Sequence, residues 1–211
     1  MKIIRSHYEI LNERELLTAS KSIEVAARTC YKSEDKISED SDVSLMNKLI
    51  SCGHEAMLEF GPSISVVFVC DRGISHELVR HRLCSFAQES TRYCNYSKDK
   101  FDNQITFILP MWLYDKYGTP EYGVWAEAME ISEMKYNSLI NDYGWQPQQA
   151  RAVLPNSLKT EIVVKANIRE WRHIFRLRTS PKAHPQMREL MIPLLKHFQE
   201  FCPLLFNDIV F

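Results

Sequence analysis

The sequence is poor in glycine, which excludes the common ways of holding a phosphate with the backbone. Only six glycines occur among 211 residues, and none stands in a G-x-G-x-x-G or G-x-x-x-x-G-K pattern. Because those loops cradle phosphates with backbone N–H groups, any phosphate bound here must be held by side chains or by an unfamiliar loop.

Long apolar runs are also absent. No stretch reaches the roughly 18 to 20 apolar residues that cross a bilayer, and residues 1–7 form no apolar signal segment. We therefore expect a cytoplasmic protein that makes no membrane contact. The six cysteines include no C-x-x-C pair, so we expect reduced thiols, most of them in the core, and no metal site. Disulfides are the less favoured alternative, because the chain is neither small nor loop-rich.

The chain as a whole carries almost no net charge, but positive charge is concentrated in one segment. The net charge of −1 argues against a dedicated DNA-binding protein. Residues 151–188, however, hold nine Lys or Arg against two Glu. Such a segment predicts either a local anion site or a solvated basic helix face, and charge alone does not separate the two.

The length and the 45% apolar composition predict one globular domain over residues 1–211. Hydrophobic periodicity predicts strands over 2–11, 63–70, 105–109 and 157–166. It predicts helices over 13–31, 41–53, 71–83, 119–143, 167–178 and 185–201, with a short helix opening at Pro147. We interpret residues 33–42 and 85–101 as loops. Without a regular βαβ rhythm, the pattern favours an α+β fold with a mixed or antiparallel sheet.

Arg178 is the most anomalous residue of the predicted helix over 167–178. Ile168, Trp171 and Phe175 recur at helical spacing, and Arg178 continues this apolar stripe. An inward-pointing arginine is costly unless it is paired. One interpretation is therefore that Arg178 points into a pocket and faces an anionic ligand. An end-of-helix arginine that snorkels to solvent is the other. The opposite, polar face is predicted to carry Arg169, Arg172 and Arg176.

A second basic cluster, Arg80-His81-Arg82, is predicted near the end of the helix over 71–83. Adjacent helical residues diverge by about 100°, so these three side chains cannot share one face but can fan around a ligand. The hydroxyls and guanidinium of Ser90-Thr91-Arg92 suit a phosphate. An ordinary basic helix end followed by a polar loop is the alternative.

The stretch from Arg80 to Tyr93 resembles the signature of flavin-dependent thymidylate synthases, in which an RHR triplet is followed after seven residues by a serine. Further motifs follow in the family's order over roughly residues 20–190. They are Val25 to Tyr31, Gly53-His54-Glu55 with Glu59, Ala150 to Pro155, and Asn167 to Arg178.

The resemblance implies an enzyme that methylates dUMP to dTMP. It also implies 5,10-methylenetetrahydrofolate as carbon donor, FAD as redox cofactor, NADPH as reductant, and a homotetramer with shared active sites. The implied FAD-binding residues are Arg80, His81, Arg82, Gln88, Asn167, Arg169 and His173. The implied dUMP-binding residues are Glu77, Arg80, Gln88, Glu89, Ser90, Thr91, Arg92, Arg151 and Arg178. His54 matches a histidine on the folate side.

By the same resemblance, Arg178 is the catalytic residue, because it matches the arginine at the uracil ring. Its fixed charge would stabilise the negative charge that builds on the N3/O4 edge during addition at C5 or C6. No enzyme nucleophile is then required. Cys84, Cys94 and Ser90 are the rival nucleophiles, but none has an activating base at a readable spacing.

Four positions depart from the commoner family pattern: Glu77, Ala87, Ala56 and His173. The helix wheel places His173 well away from Arg178, so either they serve different pockets across a subunit interface or one assignment is wrong. A nucleic-acid-binding module is the rival function, because Tyr93, Tyr96 and Phe101 lie near Arg92 and Lys98 in the sequence. Near-neutral net charge weighs against it.

Overall fold

The computed structural model describes residues 1–96 and 104–211, and the contacts of the chain divide into two compact units. The first unit comprises Met1–His7, Phe68–Arg80 and Ala87–Ile162. The second unit comprises Tyr8–Val67, His81–Phe86 and Val163–Phe211. That the chain acts as a single domain stays a prediction.

The strands form two sheets. They are β1 (Lys2–Ile4), β2 (His7–Ile10), β3 (Ile64–Asp71), β4 (Ser85–Gln88), β5 (Thr106–Ile108) and β6 (Lys159–Ala166). The first sheet pairs β1 with β5 in parallel, and the second has the order β2-β3-β6-β4. An antiparallel bridge between Phe107 and Leu158 adds the other pairing direction.

The helices are α1 (Ala19–Tyr31), α2 (Ser41–Ser51), α3 (Arg72–Leu78), α4 (Pro120–Asn141), α5 (Pro147–Ala150), α6 (Ile168–Arg178), α7 (Pro185–Phe201) and α8 (Pro203–Phe206). Short 3-10 helices cover Glu13–Thr18, Glu34–Lys36, Glu55–Phe60, Met111–Leu113 and Arg151–Val153. The α+β class is confirmed. No helix in the described part of the chain has both the length and the apolar composition needed to cross a membrane.

Three predicted helix starts are confirmed by their capping side chains. Asp71 accepts a hydrogen bond from the Ile74 N–H at 2.7 Å, and Asn167 accepts one from the Glu170 N–H at 2.9 Å. Thr119 caps α4 in the same manner. Such caps satisfy N–H groups that the first helical turn leaves without partners, so local sequence suffices to locate them.

Three predicted boundaries are wrong. The strand predicted over 2–11 is broken into β1 and β2, and β4 lies inside the predicted loop over 85–101. Residues 97–101 of that loop lie outside the described residues. The helix that begins after Asp71 ends at Leu78 rather than near residue 83. The Arg80-His81-Arg82 triplet therefore follows the helix instead of ending it.

Helix α6 packs against the core of the second unit through its aromatic side chains. Trp171 and Phe175 stack against each other, and both contact the ring of Phe198. The indole N–H of Trp171 donates to the carbonyl of Ile64 at 3.0 Å. A Cβ atom on Gly61 would lie 2.6 Å from the Ile168 side chain, so glycine allows the close approach at the start of α6.

Candidate active site

A basic cleft of about 270 Å³ lies in the first unit, next to the start of α3. It is lined by Arg72, His76, Thr91, Arg151, Ala152, Leu154, Pro155, Asn156 and Leu158. Two guanidinium groups, one imidazole and no carboxylate belong to this lining. The cleft therefore has the charge and the donors that an anionic ligand requires.

Thr91 and Arg151, both expected at the nucleotide, are brought together in this cleft although 60 residues separate them in the sequence. The Nη1 of Arg151 donates to the hydroxyl of Thr91 at 3.0 Å. Sequence reasoning missed Arg72 and His76. The available signal was their place in the first turns of a capped helix, where N–H groups and basic side chains can converge on one ligand.

The side chain of Gln88 points into the first unit. Its amide donates to the hydroxyls of Ser75 at 2.9 Å and Thr160 at 3.2 Å. Arg72 donates to the same Thr160 hydroxyl at 3.2 Å. These bonds link β4, α3 and β6, and they hold the backbone at the end of β4 where the predicted nucleotide loop begins.

Glu89 is similarly held by internal partners. The hydroxyl of Tyr96 donates to it at 3.0 Å, and the ammonium of Lys159 lies 3.1 Å from its other oxygen. Burial, followed by the charge of Glu89, raises the pKa of Tyr96. Because Tyr96 is buried, it offers no stacking surface, which weakens the nucleic-acid-binding alternative. Lys98 and Phe101 lie outside the described residues.

The other residues of the first unit that were expected to bind the nucleotide are less enclosed. Ser90 accepts a hydrogen bond from the backbone N–H of Arg92 at 3.3 Å, and the Arg92 guanidinium lies 5.3 Å from the centre of the Tyr93 ring. Arg80 is exposed and Glu77 is half-buried. The Glu77 carboxylate is not among the groups that line the basic cleft.

His81 is the buried member of the RHR triplet, whereas Arg82 is exposed. The Nε–H of Arg178 donates to His81 Nε2 at 2.9 Å. A histidine nitrogen that accepts a hydrogen bond carries no proton, so the neutral ring is protonated on Nδ1. Glu170 Oε1 lies 3.7 Å from that Nδ1. The ring of His173 meets the His81 ring edge-on, with centroids 6.0 Å apart.

His173 and Arg178 thus flank the same imidazole, although the helix wheel separates them. The wheel gives the direction of each Cβ, but the long arginine side chain reaches back to a ring that His173 contacts directly. Within the second unit, the two side chains therefore meet at His81, and whether they serve different ligand pockets across a subunit interface stays a prediction.

Burial lowers the pKa of His81 to about 4, and electrostatic interactions with Arg178 and His173 act in the same direction. His81 is therefore neutral near pH 7, and its contact with Glu170 is not an ion pair at that pH. Burial also raises the pKa of Glu170, outweighing the opposite influence of His173 and Arg169.

We expect the free energy of unfolding to fall as the pH drops from about 6.5 toward 4. In this window the unfolded chain, with a histidine pKa near 6.5, binds more protons than the folded chain, so acid favours unfolding. The His81 contribution amounts to at most about 3 kcal/mol. Urea unfolding at a series of pH values, compared between wild type and His81→Gln, isolates it. Parallel pH dependences in the two proteins would contradict the expectation.

A second cleft, of about 430 Å³, lies along α6 in the second unit. It is lined by Glu55, Glu59, Leu83, Asn167, Arg169, Glu170, His173 and Arg176. Asn167, Arg169 and His173 were expected at the flavin. Arg169 pairs with Glu59, and Arg176 lies 2.8 Å from Glu55. His54 is exposed and directly precedes the 3-10 helix that carries these two glutamates.

The prediction that Arg172 lies on the polar face of α6 is wrong. Arg172 is fully buried, whereas Arg178 is half-buried. Its two terminal nitrogens donate to the two oxygens of Asp208 at 2.7 and 2.6 Å, and it also donates to the carbonyl of Leu205. Residues near the carboxyl end of the chain cover this side of α6, which the α6 sequence does not reveal.

Cys84 is poorly suited to act as a nucleophile. Burial, followed by the negative charge of Glu170, raises its pKa to about 12. A thiol with this pKa holds almost no reactive thiolate near neutral pH. The surroundings of Cys84 therefore disfavour a nucleophilic role for this thiol.

A family model described as thymidylate synthase complementing protein matches residues 14–204. This chain belongs to that family. The flavin-dependent thymidylate synthase of Geobacter sulfurreducens is 31% identical over 193 residues, which cover 89% of this chain and 80% of the relative. The enzyme of the same name from Corynebacterium aurimucosum is 32% identical over 200 residues, covering 88% and 78%. The family predicted from the RHR signature is confirmed.

A solved structure shares the fold. The UMP/dUMP methylase PolB from Streptomyces cacaoi, bound with 5-Br dUMP, superimposes with a TM-score of 0.77. The match covers 98% of this chain and 96% of that one at 21% sequence identity. At this identity the likeness establishes the fold alone.

Proposed function

We propose that this member of the family converts dUMP to dTMP, with 5,10-methylenetetrahydrofolate as carbon donor, FAD as cofactor and NADPH as reductant. The relatives are named flavin-dependent thymidylate synthases, and the solved neighbour is a UMP/dUMP methylase. The observation that carries the proposal for this chain is the carboxylate-free cleft in which Thr91 and Arg151 meet Arg72 and His76.

The cleft of the first unit would hold the phosphate of dUMP. Arg72 and Arg151 supply planar, permanently charged donors, and Thr91 and His76 add a hydroxyl and an imidazole. Because Arg72 is already bound to Thr160 and to the Glu89 carbonyl, its guanidinium is held in place before the ligand arrives. This arrangement replaces the glycine-rich phosphate loop that the sequence lacks.

The residues beside α6 fit a flavin by their donor set. Asn167, Arg169 and His173 offer amide, guanidinium and imidazole hydrogen-bonding groups around one apolar side chain, Leu83. These three residues would hold the cofactor, together with the Arg80-His81-Arg82 triplet and Gln88. The flavin supplies the redox chemistry when bound, while the protein supplies position and electrostatics. His54 would lie on the folate side.

Arg178 would stabilise the negative charge that forms on the uracil ring. Its Nε–H is held by His81, which fixes the direction of the guanidinium plane. A preorganised cation stabilises the transition state without having to reorient during the reaction. The raised pKa of Cys84 agrees with a route that requires no enzyme nucleophile.

We also propose that the active enzyme is a homotetramer with shared active sites. Support comes from α4, where Val124, Ile131 and Met134 leave 70%, 46% and 55% of their surfaces exposed. Apolar side chains that recur on one helix at such spacing are typical of association surfaces. Glu77, Ser90 and Arg92 would contact the nucleotide in this assembly.

We expect the purified protein to be yellow and to release tritium from 5-labelled dUMP only with methylenetetrahydrofolate and NADPH. Arg151→Gln should raise the KM for dUMP by about 10- to 100-fold, since hydrogen bonds to charged groups contribute about 1.5–3 kcal/mol. Arg14→Gln, a change at an exposed arginine, is the control and should leave KM unchanged. A colourless protein that releases no tritium would rule the proposal out.

A further inference from the structure

Glu170 is a nearly buried carboxylate to which neither the resemblance nor the phosphate cleft gives a role. Only 6% of its surface is exposed. It stands in the first turn of α6, where the helix dipole favours a negative charge. Burying a carboxylate is costly, and His173 and Arg169 offset part of that cost electrostatically.

The nearest ring nitrogen to this carboxylate belongs to His81. The Nε2 of His81 accepts from Arg178 at 2.9 Å, which leaves the proton on Nδ1, the nitrogen that faces Glu170 Oε1 at 3.7 Å. This separation exceeds a hydrogen bond, so the carboxylate acts through its field. A negative charge on this side favours the tautomer that is protonated on Nδ1. That tautomer is the one able to accept from Arg178.

We propose that Glu170 is a positioning residue: it holds His81 in the Nδ1–H tautomer, so that Nε2 remains an acceptor that orients the Arg178 guanidinium. The proposal rests on the function proposed above, in which Arg178 faces the uracil ring. Glu170 itself touches no reacting atom and acts through His81. With the other tautomer, two N–H groups would face each other and the guanidinium would turn away.

A metal site is the competing interpretation of the same side chains. Among the described residues, His81, Glu170 and His173 offer ligand atoms that all lie within 4.8 Å of one another. The neighbouring charges oppose a cation, because Arg178 occupies His81 Nε2 and Arg169 lies close enough to Glu170 to lower its pKa against the effect of burial. The observations therefore favour the positioning role over a bound Zn²⁺ ion.

The kinetic test compares Glu170→Ala with Glu170→Gln in the flavin-loaded protein. Alanine removes the negative charge, and we expect kcat to fall about 10- to 100-fold, as for a modest misplacement of a catalytic group. Glutamine keeps the side-chain volume but also removes the charge, so kcat should fall by a similar factor. The fall in kcat should exceed any change in the KM for dUMP, since the phosphate cleft at Arg72, Thr91 and Arg151 contains neither His81 nor Glu170. Glu200→Ala, an exposed glutamate on α7, is the matched control.

The tautomer can be read without any activity. In protein labelled with ¹⁵N-histidine, the His81 signals, assigned by their loss in His81→Gln, should show a protonated Nδ1 and an unprotonated Nε2 near pH 7. Glu170→Ala should shift the population toward the Nε2–H form. Circular dichroism of both variants establishes that they are folded, and Glu170→Gln preserves the side-chain volume if alanine does not fold.

Three outcomes would overturn the inference. One is a wild-type His81 protonated on Nε2, and another is unchanged kcat and tautomer in Glu170→Ala. The third is stoichiometric Zn²⁺ binding by the apoprotein that both Glu170→Ala and His173→Ala abolish. Failure of the proposed function is distinguishable, because wild type itself would then release no tritium whatever the tautomer of His81.

Discussion

Arg178→Ala is expected to reduce turnover of dUMP by about 10²- to 10³-fold or more while the protein keeps its flavin. This magnitude is typical of removing one preorganised donor from a developing anion. The folded state should tolerate the change, because Arg178 is half-buried and its removal leaves His81 Nε2 as a neutral acceptor rather than an unpaired charge. Tritium release gives kcat, and the flavin absorbance gives cofactor retention.

Arg178→Lys separates charge from geometry. Lysine keeps the positive charge but loses the planar fork and the Nε–H that binds His81, so we expect it to recover only a small part of the lost rate. Lys182→Ala, an exposed cation just beyond α6, controls for a general change in charge and should turn over normally. Near-normal turnover by Arg178→Ala would contradict the mechanism while leaving the family assignment intact.

Asp208→Ala is expected to lower the free energy of unfolding by about 3 kcal/mol, because it leaves the fully buried Arg172 without its main counter-ion. Burial alone would raise the pKa of Asp208, but hydrogen bonds from Arg172 and its charge, with that of Arg176, lower it. The remaining partners of Arg172 are the Leu205 carbonyl and Glu55, whose oxygen lies 3.5 Å away. They compensate only part of the loss.

Removing the arginine of this pair should lower the free energy of unfolding by less than removing the aspartate. Arg172→Met removes the buried cation and fills its volume, leaving an Asp208 carboxylate that is 38% exposed and still 3.4 Å from Arg176. We expect a loss of no more than about 1–2 kcal/mol. Urea unfolding followed by circular dichroism ranks the two variants, with Glu39→Gln, a change at an exposed carboxylate, as control. A larger loss in Arg172→Met would contradict this account of the pair.

Much of the scaffold around the sites could be predicted because its determinants are local. Asp71, Thr119 and Asn167 locate helix starts through hydrogen bonds that span three residues. The alternation along β6 is equally local, and it predicted that strand within two residues. Where neighbours in space decide the outcome, as for β4 and for the early end of α3, the same reasoning failed.

The residues of the candidate sites likewise include some that the sequence predicts and others that only the structure identifies. The basic segment and the RHR signature predict Arg151, Thr91, His81 and Arg178 as site residues. The sequence did not reveal that Arg72 reaches the phosphate cleft or that Glu170 lies against His81. Those placements depend on which distant segments pack against the start of α3 and on where the chain turns after Leu78, and neither feature has a periodic signal.

Taken alone, the sequence determined the family, the α+β class and the residue types that carry the chemistry, because motifs and caps are short-range patterns. Only the tertiary structure decided which arginine of α6 is buried. A helix wheel fixes the angle of each side chain but not which angles another segment will cover, and Asp208 and Leu205 lie some 30 residues further along the chain. Burial and pairing on α6 are set by these distant residues, and so is the environment in which its charged groups act.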